Sequence, residues 1–148
     1  MQFVFWGNYG NIAFNLALSL EKTNKVLFIE ADIRRPSVLN SFYKFDKEIH
    51  GLGEIISGSH QLKETIFKVP GTNLDIITSG EKRFDMSDHS KIEEFIENVT
   101  SQLTGLDILI NNAGINMDNL SLRMKEVEWK SVIDFNLGST FLLCKYGI

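Results

Sequence analysis

Short apolar runs alternate along this chain with stretches of helical spacing, and that alternation leaves few folds open to it. Phe3-Val4-Phe5-Trp6 reads as a buried strand ending at Gly7. From Ile12 the spacing turns helical: Ile12, Leu16 and Leu20 share a face, with Ala13 and Ala17 beside them. Lys25 to Ile29 forms a second apolar strand, and Leu74-Asp75-Ile76-Ile77-Thr78 a third, closed by Gly80. Ser90 then reads as an N-cap, with Glu93 completing a capping box. The helix it opens carries an apolar stripe of Ile92, Phe95, Ile96, Val99 and Leu103, and Gly105 ends it. Leu106 to Ile110 is the fourth strand. A long last helix runs from about Glu126, with Trp129, Val132, Ile133, Leu137, Phe141 and Leu142 expected inward. Right-handed crossovers make such strands parallel. The expectation is a single α/β domain over residues 1–148, its four-stranded parallel sheet in the order 3-2-1-4 between two layers of helices.

Residues 33–72 are less patterned. Pro36 can start a helix that takes in Val38, Leu39 and Phe42. Gly51, Gly53 and Gly58 confine Leu52, Ile55 and Ile56 to a short helix at best.

Composition narrows the function classes. The 148 residues can bury a core without disulfide staples. A net charge of −4 argues against nucleic acid or an anionic membrane as partner. The acidic excess lies in the second half, where Asp85, Asp88, Glu93, Glu94 and Glu97 read as a solvated helix face. Cys144 is the one cysteine, which excludes an intrachain disulfide and fits a reducing cytoplasm. It falls in an apolar helical run, where a small buried filler is expected. No apolar run reaches the roughly 18–20 residues of a membrane span, and no signal peptide is expected. His50, His60 and His89 show no metal-ligand spacing, so no metal is expected.

The loop Gly7-Asn8-Tyr9-Gly10-Asn11-Ile12-Ala13 joins the first strand to its helix. Such a loop aims backbone N–H groups and a helix dipole at a phosphate, or it is only a tight turn. Gly7, Gly10 and Ile12 partly match the glycine-rich loop of short-chain dehydrogenases, with Asn11 and Ala13 where later glycines would be. Residues 12–80 also resemble bacterial tyrosine kinases and polysaccharide chain-length regulators. That likeness runs through Val26-Leu27-Phe28-Ile29-Glu30-Ala31-Asp32-Ile33-Arg34-Arg35-Pro36-Ser37 and through Asn73 to Gly80. Tyr9 and Gly10 stand where the Walker lysine and hydroxyl residue belong, so kinase chemistry is not expected.

The second half resembles the short-chain dehydrogenase/reductases, most of all the β-ketoacyl-acyl-carrier-protein reductases. The likeness rests on Asp85-Met86-Ser87-Asp88, on Gly105 to Ile110 followed by Asn111-Asn112-Ala113-Gly114-Ile115, and on Val132-Ile133-Asp134-Phe135-Asn136-Leu137. It covers about residues 84–146. The resemblance implies a Rossmann-like three-layer sandwich that binds NADP or NAD. Asp85 and Met86 would lie by the adenine, and Asn112, Ala113 and Gly114 would border the cofactor. Asn136 would hold a water in a proton relay, or is a core amide bonded to nearby backbone. Glu30 or Asp32 favours a ribose hydroxyl, whereas Arg34 and Arg35 suit a 2′-phosphate.

The family's catalytic Ser and Tyr-x-x-x-Lys have no counterpart after Asn136, so a truncated oxidoreductase of the fatty acid biosynthesis type, inactive alone, is expected. Tyr43 and Lys47 have that spacing by chance. The two resemblances meet near residues 81–84, as a chimeric, designed or degenerate sequence would; a scaffold without ligand is the alternative, and a degenerate kinase-like nucleotide-binding module the second. Apolar residues around the last helix imply a homodimer through residues 126–148.

Overall fold

The computed structural model describes residues 2–7, 11–31, 50–82, 89–102 and 106–147. Its elements in chain order are β1 (Gln2–Gly7), α1 (Asn11–Leu20), β2 (Lys25–Glu30), α2 (Leu52–Ile56), α3 (Leu62–Thr65), β3 (Ile66–Lys68), β4 (Leu74–Ile77), α4 (His89–Gln102) and β5 (Ile108–Asn112). A last helical stretch follows as α5 (Glu126–Ile133), a π-helical segment (Asp134–Ser139) and α6 (Thr140–Gly147).

The strands form one sheet in the order β3-β4-β2-β1-β5. The four strands read from the sequence stand as β4-β2-β1-β5 and pair in parallel. The expectation of an all-parallel, four-stranded sheet is corrected by β3, which pairs antiparallel with β4 (Ile66 opposite Ile77, Lys68 opposite Asp75). Three residues with one lysine carry too weak a pattern to read as a strand alone. The turn into β4 places Gly71 at φ +77, a conformation that glycine adopts at little cost.

Strand alternation divides the core into two layers. Val26, Phe28, Leu74 and Ile76 face Ala13, Phe14 and Ala17 of α1. Leu27, Ile29 and Ile77 face Leu52, Leu62, Ile92, Phe95, Ile96, Val99, Phe135 and Leu143. Helices therefore lie on both sheet faces, as a Rossmann-like α/β fold requires. Strands from both sides of residues 81–84 share this sheet.

Three face assignments need correction. On α1 the buried residues are Ala13, Phe14 and Ala17, while Leu16 is exposed. Small residues let the helix approach the sheet, and Phe14 packs edge-on against Phe28 at 5.6 Å. On the last helix Trp129, Leu137 and Phe141 are exposed, and Val132, Ile133 and Leu142 only half-buried. The inward row is Phe135, Ser139, Leu143 and Gly147, spaced by four. In a regular α-helix four residues overshoot one turn by about 40°. The wider turn of the π segment absorbs that overshoot and keeps the row in line. Cys144, expected buried, is exposed beside Asn111, whose Nδ2 lies 3.4 Å from its Sγ.

Boundaries also move. Helix α4 begins at His89, so Ser90 stands inside it, and the fourth strand runs from Ile108 to Asn112 rather than from Leu106. Ile92, Phe95, Ile96 and Val99 are buried as their spacing implies. Leu103, Gly105 and the Pro36 helix lie outside the described residues.

Candidate functional site

In an open parallel sheet, ligands bind beyond the carboxyl ends of the strands. Three strands end level here: Gly7 of β1 is in register with Glu30 of β2 on one side and with Asn112 of β5 on the other. Asn112 is exposed, and Ala113 and Gly114, which leave the sheet after it, are half-buried. Beyond that edge the backbone carries almost no side chain. A Cβ added at Gly114 would meet only the Asn136 side chain, at 3.5 Å, an ordinary contact. The fold itself does not demand glycine there. A flat group lying against the backbone would.

Asn136 fixes the course of this turn. Its Oδ1 accepts a hydrogen bond from Ile115 N (2.8 Å), and its Nδ2 donates to Ile115 O (2.9 Å). Both ends of the amide are thus used on one backbone residue. The π-helical segment delivers the side chain to it. Around this π segment two hydroxyls also bond back to carbonyls four residues earlier. Thr140 Oγ1 donates to Asn136 O (2.7 Å), and Ser139 Oγ donates to Phe135 O. Single π turns are frequent at functional sites.

The other border of the edge is formed after β4. Thr78 and Ser79 are buried, and Ser79 N donates to Glu30 Oε2 at 3.4 Å. Glu30 is fully buried. Its carboxylate is shut off from solvent, with Oε2 toward the Ser79 backbone. Glu54, which the sequence did not single out, closes the same segment. Its carboxylate accepts from Gly51 N (2.7 Å), Lys82 N (2.9 Å) and Glu81 N (3.2 Å). Burial alone would push this carboxyl up, but backbone N–H donors, Gly51 and Lys82 foremost, hold it below the usual carboxylate value. A glutamate three residues after Gly51 is the visible half of a capping box, and that spacing was the available signal.

The structure therefore brings Gly7, Asn112, Ala113, Gly114 and Asn136 to one edge. Ile12 lies in the first turn of α1 behind it. Asn8, Gly10, Asp32, Arg34, Asp85 and Met86 lie outside the described residues. Among the described residues no group of three or more His, Cys, Asp or Glu side chains is placed to hold a metal. No described helix is long and apolar enough to cross a membrane.

Comparison with known proteins places this geometry. The sequence model of the short chain dehydrogenase family matches residues 71–148. A stretch of 61 residues is 46% identical to the 3-oxoacyl-acyl-carrier-protein reductase of Salmonella typhimurium, covering 41% of this chain and 25% of that protein. Over 57 residues the chain is 49% identical to the same-named reductase of Staphylococcus aureus, covering 38% and 23% respectively. The aligned stretches thus span about a quarter of these relatives' length. Among solved structures, a short-chain dehydrogenase/reductase double mutant from Serratia marcescens superposes with a TM-score of 0.60 at 16% identity. It covers 99% of this chain and 49% of the other. ElxO with NADP bound gives 0.60 at 19% identity, over 98% and 48%. At such identities the superpositions speak for the fold alone.

Proposed function

This chain belongs to the short-chain dehydrogenase family, and from that premise we propose that it is an NAD(P)-binding domain of the 3-oxoacyl-acyl-carrier-protein reductase type. The observation that carries the reading is the level carboxyl edge of β1 and β5. There Gly7 and Asn112 are in register, and Asn112-Ala113-Gly114 offers backbone with little side chain. The residues present fit a dinucleotide. Gly7, Asn8, Gly10 and Ile12 would take the phosphates at the start of α1. Asn112, Ala113 and Gly114 would border the nicotinamide half, and Asp85 with Met86 the adenine.

When bound, the nicotinamide supplies or accepts a hydride. The chain's own residues position and bond. Asn136 holds Ile115, and through it the turn at Gly114, so that the border is preformed. Each amide end makes one bond to Ile115, so Oδ1 keeps a second lone pair and Nδ2 a second hydrogen. A relay water, in this reading, is held by one of these. Glu30 is engaged with Ser79, so the choice between NADPH and NADH falls to Asp32 and Arg34.

Reduction of a 3-oxoacyl thioester also needs a hydroxyl proton donor with a lowered pKa. Tyr43 and Lys47 do not fit that role by position in the chain, so we propose that these 148 residues bind the dinucleotide without turning over substrate. Calorimetric titration with NADPH, NADH and ATP tests the reading. Saturable heat with a dinucleotide and none with ATP is expected. No heat at millimolar NADPH and NADH sinks the reading, and a response to ATP alone returns the kinase-like one.

A further inference from the structure

Helix α2 packs its backbone directly on the segment that leaves β4. Leu52 N donates to Thr78 O (2.8 Å) and Gly53 N to Ser79 O (3.0 Å). A Cβ at Gly51 would collide with the Thr78 carbonyl oxygen, and one at Gly53 with that of Lys82. The Glu54 carboxylate, itself buried, closes this contact by taking the amides of Gly51, Glu81 and Lys82. Gly80 makes the closure possible. It sits at φ +78, and a Cβ there would collide with Glu54 Oε2. One carboxylate thus fastens the segment to α2, while the Glu30 carboxylate holds Ser79 N from the sheet side.

We propose that Glu54 is a positioning residue, whose carboxylate clasps the Gly80–Lys82 strap and so sets the border of the carboxyl edge on which a dinucleotide's adenosine end rests. The ligand half of this inference rests on the dinucleotide reading above. Two physical points carry it. Charge-assisted bonds to backbone N–H are about twice as strong as neutral ones, and three of them converge on one group. Position does the rest: the strap leaves the carboxyl end of β4, whose Ile77 is in register with Ile29 beside the Gly7–Glu30 pair, so fixing Glu81 and Lys82 fixes the border of that edge.

The test uses the full chain, with amide hydrogen exchange read residue by residue and NADPH and NADH as probes. In the wild type the Gly51, Glu81 and Lys82 amides are expected to be protected. In Glu54→Gln they should exchange about tenfold faster or more, with the amides of exposed α5, which open locally and apart from the clasp, unchanged. Dinucleotide affinity should fall by about fivefold or more in the same variant. A loss of global stability alone would speed the core amides and leave locally opening ones as they were, so faster exchange at Gly51, Glu81 and Lys82 beyond that of the core separates a clasp from general support. Unchanged exchange at the three amides overturns the proposal, and so does faster exchange with unchanged affinity. If Glu54→Gln does not fold, the wild type decides: protected Glu81 and Lys82 amides support the clasp, and unprotected ones reject it. A wild type that binds neither dinucleotide rejects the cofactor reading, whereas the exchange pattern still judges the clasp.

Discussion

Two side chains do most to shape the candidate site, and neither role is written in its residue type. The sequence marked Asn136 as an amide on a helix face and left two readings open. The structure commits both its ends to Ile115, 21 residues away, a pairing that no spacing rule shows. Asn136→Leu leaves the Ile115 N–H and C=O without that partner. It should cost about 1–3 kcal/mol in urea unfolding, and a loss under about 0.3 kcal/mol would show that the pairing is not formed. Glu54 makes a pH-dependent contribution. Its carboxyl is held below the ordinary value in the fold, so its stabilisation is present above about pH 4.5 and is lost as pH falls through the folded value. Unfolding midpoints should therefore drop below pH 4.5 in the wild type. In Glu54→Gln the protein should be weaker at pH 7 by about 1–3 kcal/mol, with a shallower acid slope. Parallel pH profiles for the two proteins would contradict this.

At the scale of elements, strands were legible and helix faces were not. Apolar runs between turns located β1, β2, β4 and β5, because a parallel strand is covered on both faces and reads as a continuous run. Strand β3 escaped notice because Ile66-Phe67-Lys68 is short and gains its meaning only from β4 beside it. On the last helix the π turn at Asp134–Ser139 re-phases Leu137 and Phe141, whereas Trp129 stands before that turn on α5, which buries none of its residues. What docks this helix is Phe135 and Leu143, not the exposed Lys130–Asp134 pair at 2.6 Å. A surface pair contributes about 0–1 kcal/mol, whereas truncating a buried leucine costs about 2–5 kcal/mol. Leu143→Ala should accordingly fall in that higher range. Leu137→Ala, exposed, should stay within about 0.5 kcal/mol in the monomer. Equal losses at the two positions would mean that the helix face is assigned wrongly. The glutamates at 54, 64 and 128 each accept the amide three residues before them, a spacing that signals a helix start, yet of the three only the start near Glu126 was expected from the sequence.

The whole molecule shows an apolar surface that its own fold leaves open. Val127, Trp129, Leu137 and Phe141 are each more than half exposed along one helical stretch, and β5 pairs with β1 alone among the described strands. Apolar faces and unpaired strand edges of this kind drive association. We expect a homodimer through residues 126–148. Light scattering at about 100 μM should give twice the 16.8 kDa chain mass, reverting to one chain mass in a Leu137→Glu, Phe141→Glu double variant. A wild-type monomer at that concentration would contradict the expectation. The α/β architecture, a sheet between two helix layers, could be read from the sequence because alternation of elements determines it. The site could be read only in part, since residues such as Gly7 and Asn112 acquire their relation through register across the sheet. The central claim is that a dinucleotide binds at the carboxyl edge of this sheet. Amide chemical-shift mapping during an NADPH titration tests it most directly. The account predicts saturable shifts at Gly7, Asn112, Ala113, Gly114 and Ile115, with Gln2 and Lys25 at the opposite edge unmoved. Shifts confined to the opposite edge, or none at millimolar NADPH and NADH, would contradict it.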